Sequence, residues 1–159
     1  MEILIRDAAA SDLDALEGLE KACFSDPWSR EVFAAQLPDE RHEFLVAECG
    51  GRLLGYVTMM CVLDEGDISN VAVEPGARRN GIGRELVAEM LRRAERRSLA
   101  AVMLEVREHN EAAIALYDEA GFVPVGRRRG YYERPREDAL LMTRFLLQEE
   151  EKKDEDTCL

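Results

Sequence analysis

From residue 78 to residue 84 the chain reads Arg-Arg-Asn-Gly-Ile-Gly-Arg, immediately before its longest amphipathic run. Glycines at Gly81 and Gly83 let the backbone turn sharply and let a ligand approach without a Cβ in the way. The first N–H groups of a helix starting there lack intrahelical partners and carry the positive end of the helix dipole. Arg78, Arg79 and Arg84 add formal positive charge to that loop. The chemistry such a loop suits is the binding of a phosphate or pyrophosphate. A glycine-softened helix start with solvated arginines is the alternative, and Gly-x-Gly alone does not decide between them. Two phosphate motifs are excluded. No Gly-Lys-Ser/Thr follows, as a P-loop requires, and Leu86 stands where a dinucleotide fingerprint has its third glycine.

Other reactive residue types form no comparable group. Cys23, Cys49, Cys61 and Cys158 are scattered, with no Cys-x-x-Cys pair, and His42 and His109 are far apart. Zinc needs clustered ligands at short spacings, so no metal site is expected and the thiols read as reduced and mostly buried. Neither Cys49 nor Cys61 has a histidine beside it to activate a nucleophile.

The whole chain has 159 residues, 47% of them hydrophobic and 34% charged, which suits one globular domain with a real core. General disorder, a collagen-like repeat and a disulfide scaffold do not fit. No stretch approaches the roughly 18 apolar residues that span a bilayer, so no membrane partner is expected. The start, MEILIRDAAASDLDAL, carries acids early and lacks a basic-then-apolar signal, which points to the cytoplasm. The formal charge is −12. That is the wrong sign for general nucleic-acid binding and the right one for attracting a cationic substrate. Arg127-Arg128-Arg129 is the one basic run that could suggest RNA, and the surrounding acids argue against it. From Gln148 the segment QEEEKKDEDTCL holds six acids and two bases and almost nothing apolar. It reads as a disordered tail, which leaves residues 1–147 as the single domain, itself still acidic.

The elements that must position these residues follow from periodicity and turn chemistry. Leu4–Arg6 reads as a short strand. Ser11 and Asp14 resemble a capping box before Leu13, Leu16, Leu19 and Cys23 at helical spacing. Asp26-Pro27 breaks that helix, and Ser29 can cap a short second one through Val32, Phe33 and Gln36. Phe44–Cys49 and Arg52–Val62 flank Gly50-Gly51, a two-residue hairpin signal. Asp67–Val73 reads as a strand stopped by Pro75-Gly76. Ile82, Leu86, Val87, Met90, Leu91 and Ala94 form a wide apolar stripe between Gly81 and Ser98, the clearest helix in the chain. Ala101–Val106 is strand-like, Asn110–Ala120 is a helix closed by Gly121, and Phe122–Val125, Arg129–Tyr132 and Ala139–Phe145 are further strands. The order β-α-α-β-β-β-α-β-α-β-β, a meander followed by a β-α-β crossover, implies an α/β mixed sheet with helices on both faces.

At Arg78-Arg79-Asn80-Gly81-Ile82-Gly83 the chain resembles the GNAT superfamily of acetyl-CoA-dependent N-acyltransferases, whose signature is Arg/Gln-x-x-Gly-x-Gly/Ala. Further matches are Pro27-Trp28-Ser29, Leu63-Asp64-Glu65, Asn70-Val71-Ala72-Val73, Leu104-Glu105-Val106-Arg107, Ala112-Ala113-Ile114-Ala115-Leu116-Tyr117, Gly121-Phe122, Arg128-Arg129-Gly130-Tyr131-Tyr132 and Arg136-Glu137-Asp138-Ala139. The resemblance runs over about residues 3–147 and is strongest to the members that acetylate ribosomal proteins on an N-terminal alanine. It implies a mostly antiparallel central sheet and acetyl-CoA as co-substrate, with the N-terminal peptide of a ribosomal protein as acceptor. It places the acetyl-CoA site on the backbone of Val71, Ala72 and Val73, on Arg78, Arg79, Asn80, Gly81, Ile82, Gly83 and Arg84, and on Asn110. It makes Glu105 the general base and Tyr117 the general acid. It also implies that the strand of Asn70–Val73 splays from Ala101–Val106, so that a fixed N–H can meet the thioester oxygen.

Those roles agree with the chemistry of making an amide from a thioester, which needs a neutral amine and a protonated leaving thiolate. At pH 7 about 10% of an α-amine near pKa 8 is free base, against about 0.04% of a lysine near 10.4. A carboxylate can take the remaining proton and attract the ammonium form. A phenol near pKa 10 can protonate a thiolate near 8.5. Alternatives stay open for each residue: Glu105 as a solvated strand acid, Tyr117 as a core aromatic bonded to a carbonyl, Asn110 as a helix N-cap. Asp64, Glu65, Glu137 and Asp138 could line a groove for a basic peptide or simply face water. Trp28 and Tyr131-Tyr132 could wall that groove, with packing under the first helices open for Trp28. Small amines, protein lysines and acyl-CoA binding without turnover are the rival functions. Oligomeric state is silent.

Overall fold

In β2 (His42–Cys49) and β3 (Arg52–Val62) successive side chains point to opposite sides, and both sides are apolar. Phe44, Val46 and Tyr56 enter one cluster, while Leu45, Ala47, Val57 and Met59 enter another. Strands apolar on both faces must lie between two layers. A computed structural model, which describes residues 2–146, shows those layers. α1 (Leu13–Cys23) and α2 (Arg30–Gln36) bring Leu13, Leu16, Leu19 and Phe33 onto the first face. α3 (Ile82–Arg96) covers the second with Ile82, Leu86, Val87, Met90 and Ala94, and α4 (Glu111–Glu119) adds Tyr117. The acidic segment expected as a tail lies outside the described residues.

The remaining strands are β1 (Leu4–Asp7), β4 (Glu65–Val73), β5 (Ala101–Arg107), β6 (Val123–Tyr132) and β7 (Glu137–Phe145). They form one seven-stranded sheet in the order β1-β2-β3-β4-β5-β7-β6. Only β4 and β5 are parallel, as the crossover through α3 requires. This is the mixed sheet, helices on both faces, that the element order implied.

One irregularity positions the site. β4 and β5 pair only from Glu65↔Ala101 to Ile68↔Leu104, although both strands continue. Against β3, Asn70 faces Thr58 and Ile68 faces Met59, so Ser69 is an extra residue in β4. Such a bulge bends a strand and increases its twist. Past it, β4 stays paired with β3, β5 stays paired with β7, and a gap opens between them.

Two expectations are corrected. Phe122–Val125 and Arg129–Tyr132 are not separate strands: β6 runs from Val123 to Tyr132, with register shifts against β7 absorbing Val125 and the Gly130 region. Nor does Ser11 with Asp14 start the first helix. Asp12 is the residue before it, and its side chain turns back rather than capping the helix, accepting a bond from the Ala9 N–H at 2.8 Å and two from the Arg6 guanidinium at 2.8 Å. Asp12 is 7% exposed, and the Arg6 hydrogen bonds hold its carboxyl below the usual carboxylate range. Loss of these bonds in Asp12→Ala is therefore expected to cost about 1–2 kcal/mol at neutral pH, a Tm loss of about 2–8 °C in a domain this size. A carboxyl whose folded pKa is depressed stabilises above its unfolded value and loses that contribution as pH falls through the folded one. The Tm difference from the parent should narrow on acidification below about pH 4 in melts recorded at several pH values.

Candidate active site

Between β4 and α3 the backbone takes two left-handed steps, at Arg79 (φ 70°) and Gly81 (φ 77°). They deliver the chain into α3 with no side-chain cap: Gly81 is the N-cap residue, and its carbonyl accepts from the Glu85 N–H at 3.0 Å. The N–H groups of the first turn, Ile82 to Arg84, thus face outward at the positive end of a 15-residue helix. Asn80 stabilises the loop itself, donating to the Ala77 carbonyl at 2.9 Å. Arg78 turns back to the Val73 carbonyl at 3.2 Å and fastens the loop to the end of β4. Arg79 is exposed, and Arg84 reaches Glu119 at 3.4 Å on the surface.

A Cβ on Gly83 would lie 3.3 Å from Leu116 and 3.8 Å from Val73, so α3 is pressed against both α4 and the end of β4. A groove of about 480 Å³ leads from Arg84 between α3 and α4, past Ala88, Leu91, Arg92 and Leu116. A β-branched side chain at the left-handed Gly81 costs about 1–2 kcal/mol. If this loop holds the diphosphate of acetyl-CoA, as the resemblance implies, Gly81→Val is expected to raise the acetyl-CoA Kd by about tenfold in titration calorimetry, since relieving the strain moves the outward N–H groups.

Beside the gap stands Glu105. Leu104 and Val106 point into the core under α3, so Glu105 lies on the other face of β5, its side chain 28% exposed. Its carboxylate is 3.7 Å from the Arg128 guanidinium and faces the Tyr131 phenol, whose pKa it raises. Tyr131 and Tyr132 meet edge to face at 5.0 Å, and the Arg107 guanidinium lies 4.4 Å over the Tyr132 ring. Burial, with the Glu105 charge second, pushes the Tyr132 phenol up to about 12. Tyr117 arrives from α4 at 8% exposure, packed on Phe122 at 5.8 Å. Burial, and then the Tyr132 phenol, push it up to about 12 as well. Glu105 and Tyr117 come from separate elements, β5 and α4. The Tyr117 hydroxyl makes no hydrogen bond among those of the described residues, unlike Tyr56, whose phenol is held by Glu20 and Asn70.

The other expected residues divide. Val71, Ala72 and Val73 lie in the part of β4 that has left β5. Asn110 is the N-cap of α4, its side-chain oxygen accepting from the Ala113 N–H at 3.2 Å. Asp64 and Glu65 line a second groove of about 310 Å³ with Met60, Leu63 and Met103. Glu137 and Asp138 are committed elsewhere. Glu137 accepts from the His109 N–H at 2.8 Å and pairs with Arg107 at 3.2 Å, while Asp138 accepts from the Gly130 N–H at 2.8 Å and pairs with Arg127. Backbone donors hold both carboxyls below the usual range. Trp28 packs on Phe33 at 5.6 Å as part of the smaller core.

Sequence reasoning passed over Asp67. It pairs with Met103 across β4 and β5, one alternation from Glu105, and lines the second groove. Burial by neighbouring atoms and the Glu105 charge raise its carboxyl, with Arg128 opposing. Only the register of the parallel pair brings these two acids to one face.

The profile of the acetyltransferase (GNAT) family matches residues 13–122. The [ribosomal protein bS18]-alanine N-acetyltransferase of Escherichia coli K12 is 36% identical over 140 residues, covering 87% of this chain and 94% of that protein. The N-alpha-acetyltransferase RimI of Mycobacterium tuberculosis is 37% identical over 123 residues, covering 75% and 76%. The crystal structure of the ribosomal-protein-S18-alanine N-acetyltransferase from Escherichia coli superposes with a TM-score of 0.84 at 35% identity, covering 91% of this chain and 94% of that one.

Proposed function

This chain belongs to the GNAT acetyltransferase family, and from that premise we propose that it is an N-alpha-acetyltransferase. It moves the acetyl group of acetyl-CoA directly to the N-terminal amine, alanine first, of a small-subunit ribosomal protein. The observation that carries this reading is the end of β4–β5 pairing at Ile68↔Leu104, which leaves Glu105 beside an unpaired strand edge that ends at the uncapped start of α3. The Escherichia coli relative named for alanine N-acetyltransfer, similar over nearly the whole domain, supports the choice of acceptor.

In this reading the first turn of α3 binds the diphosphate of acetyl-CoA through its N–H groups, with Arg79 and Arg84 adding positive charge. Arg78 and Asn80 hold the loop in shape. The free edge of β4 at Val71–Val73 receives the extended arm of the coenzyme and offers an N–H to the thioester oxygen. Asn110 lies at the start of α4 on the same side of the gap, and its cap bond fixes that turn. Glu105 takes the proton of the acceptor ammonium, directly or through water. The neutral amine attacks the thioester carbon, the C–S bond breaks, and Tyr117 gives its proton to the departing sulfur. The second amine proton leaves the new amide nitrogen for the Tyr117 phenolate through water, and Glu105 releases its own proton to solvent. Burial keeps that phenol protonated at neutral pH. It also makes it a weaker acid than a free phenol, and the same dry surroundings raise the basicity of the thiolate it serves.

Mass spectrometry of ribosomal proteins digested after incubation with the enzyme and acetyl-CoA tests the proposal. Acetylation of an N-terminal alanine is expected. Product found only on lysines, or only on small amines in a parallel panel, would replace the acceptor assignment. Acetyl-CoA bound with no product on any amine would replace catalysis with binding.

A further inference from the structure

Glu20 is 1% exposed in α1, and among the described residues no lysine or arginine pairs with it. Three donors from three elements converge on its carboxylate instead. The Tyr56 hydroxyl of β3 donates to Oε1. The Trp28 N–H, from the connection between α1 and α2, donates to Oε2 at 3.0 Å, and the Asn70 amide of β4 reaches Oε2 at 3.5 Å. Asn70 also donates to the Tyr56 hydroxyl at 2.6 Å, which closes the network. A buried carboxylate without a cation is costly, and apolar residues of similar volume commonly serve stability as well or better. What this one does that a leucine would not is tie three separate segments to a single point.

The position of that point is informative. Asn70 is the first residue beyond the Ser69 bulge, where β4 leaves β5, and the unpaired edge of Val71–Val73 follows directly. Trp28 belongs to the connection that precedes α2 and is anchored by its ring on Phe33. We infer that Glu20 is a positioning residue for acetyl transfer: its carboxylate sets the placement of the free β4 edge relative to the α1–α2 connection, and so the alignment of thioester and acceptor amine. The inference rests on the acetyl-transfer reading of the same site. Displacements of about 1 Å at such an edge can cost about 100-fold in rate without removing any reacting group.

Glu20→Gln keeps the shape but offers one acceptor oxygen to three donors. Tyr56→Phe keeps the ring within its cluster with Phe33 and Phe44 and removes only the bridging hydroxyl. With the full chain and an alanine-initiated peptide, well below the Tm of each variant, both are expected to lower kcat by about 10- to 100-fold. The double variant should lose little more than the singles, because the three groups act as one unit. Amide hydrogen exchange over Asn70–Val73 should quicken in both, while α3 is unaffected. A purely structural carboxylate would lower Tm and leave kcat at the parent value. That result, or unchanged exchange at Asn70–Val73, overturns the inference. Should Glu20→Gln fail to fold, Tyr56→Phe alone decides it. A parent protein that acetylates no peptide overturns the proposed function, and the exchange data still judge Glu20.

Discussion

Replacing Glu105 with glutamine is expected to lower kcat/KM for an alanine-initiated peptide by about 10²- to 10⁴-fold, the range removed with a general base. The acetyl-CoA Kd should stay nearly unchanged. Glu105 lies on the face of β5 opposite the α3 core, whereas the coenzyme contacts proposed here belong to α3 and to β4. A glutamine preserves the size of the side chain, so the partly exposed site loses a charge and gains no cavity. Nothing then replaces the acceptor for the proton that leaves the ammonium. Steady-state rates on the peptide, paired with calorimetry of coenzyme binding, make the check. Unaltered activity would return Glu105 to the role of a solvated strand acid paired with Arg128. Glu105→Gln should also ease the raised carboxyl of Asp67, because one of the charges that raises it is gone. NMR titration of the Asp67 carboxyl in parent and variant makes that check.

Tyr117→Phe is expected to slow the chemical step by about 10²-fold with little change in KM for either substrate, the signature of an interaction made only in the transition state. The variant should not lose stability. The ring keeps its contact with Phe122, and the hydroxyl removed has no hydrogen bond among the described residues, so its loss leaves no partner unpaired. A fall in Tm with unchanged single-turnover rates would restore the core-aromatic reading. The pH profile supplies a second check. An ordinary phenol ionises near 10, but burial pushes Tyr117 up to about 12. A phenol raised in this way stays protonated until the pH nears its folded value. Activity should therefore show no loss from Tyr117 ionisation at pH 10, provided the protein remains folded there.

The two replacements address residues that sequence and structure reveal to different degrees. The hairpin at Gly50-Gly51, the apolar stripe of α3 and the loop from Arg78 to Arg84 were legible because each is written in local spacing. A turn needs positive φ where it turns, and a helix needs its apolar residues every three or four positions. Gly50 and Gly51 do have positive φ, and α3 buries the expected stripe. Element order then confined the topology, since a crossover between neighbouring strands makes them parallel. Even the polarity of β5 was readable, with Leu104 and Val106 inward and Glu105 opposite.

Local spacing also misled, and where it did the reason is long-range. Phe122–Val125 and Arg129–Tyr132 read as two strands, yet pairing with β7 continues at Gly126 and returns at Tyr132, so that one strand, β6, runs across the break. Ser11 and Asp14 have the spacing of a capping box. In the fold Asp12 instead turns back to the Ala9 N–H, and Arg6 of β1 holds its carboxylate there.

What the amino-acid order determined by itself was most of the elements and their succession, the glycine-bearing loop before α3 and the residue types available for acetyl transfer. What only the tertiary structure decided was which of them meet. The bulge at Ser69, the end of pairing at Ile68 and the burial of Glu20 all depend on register and on contacts between segments far apart in the chain. Torsional preferences and hydrophobic period act over one or two turns, so they are written locally. A gap between strands and the desolvation of a carboxylate are properties of packed neighbours, and those exist only once the sheet has closed against both helical layers.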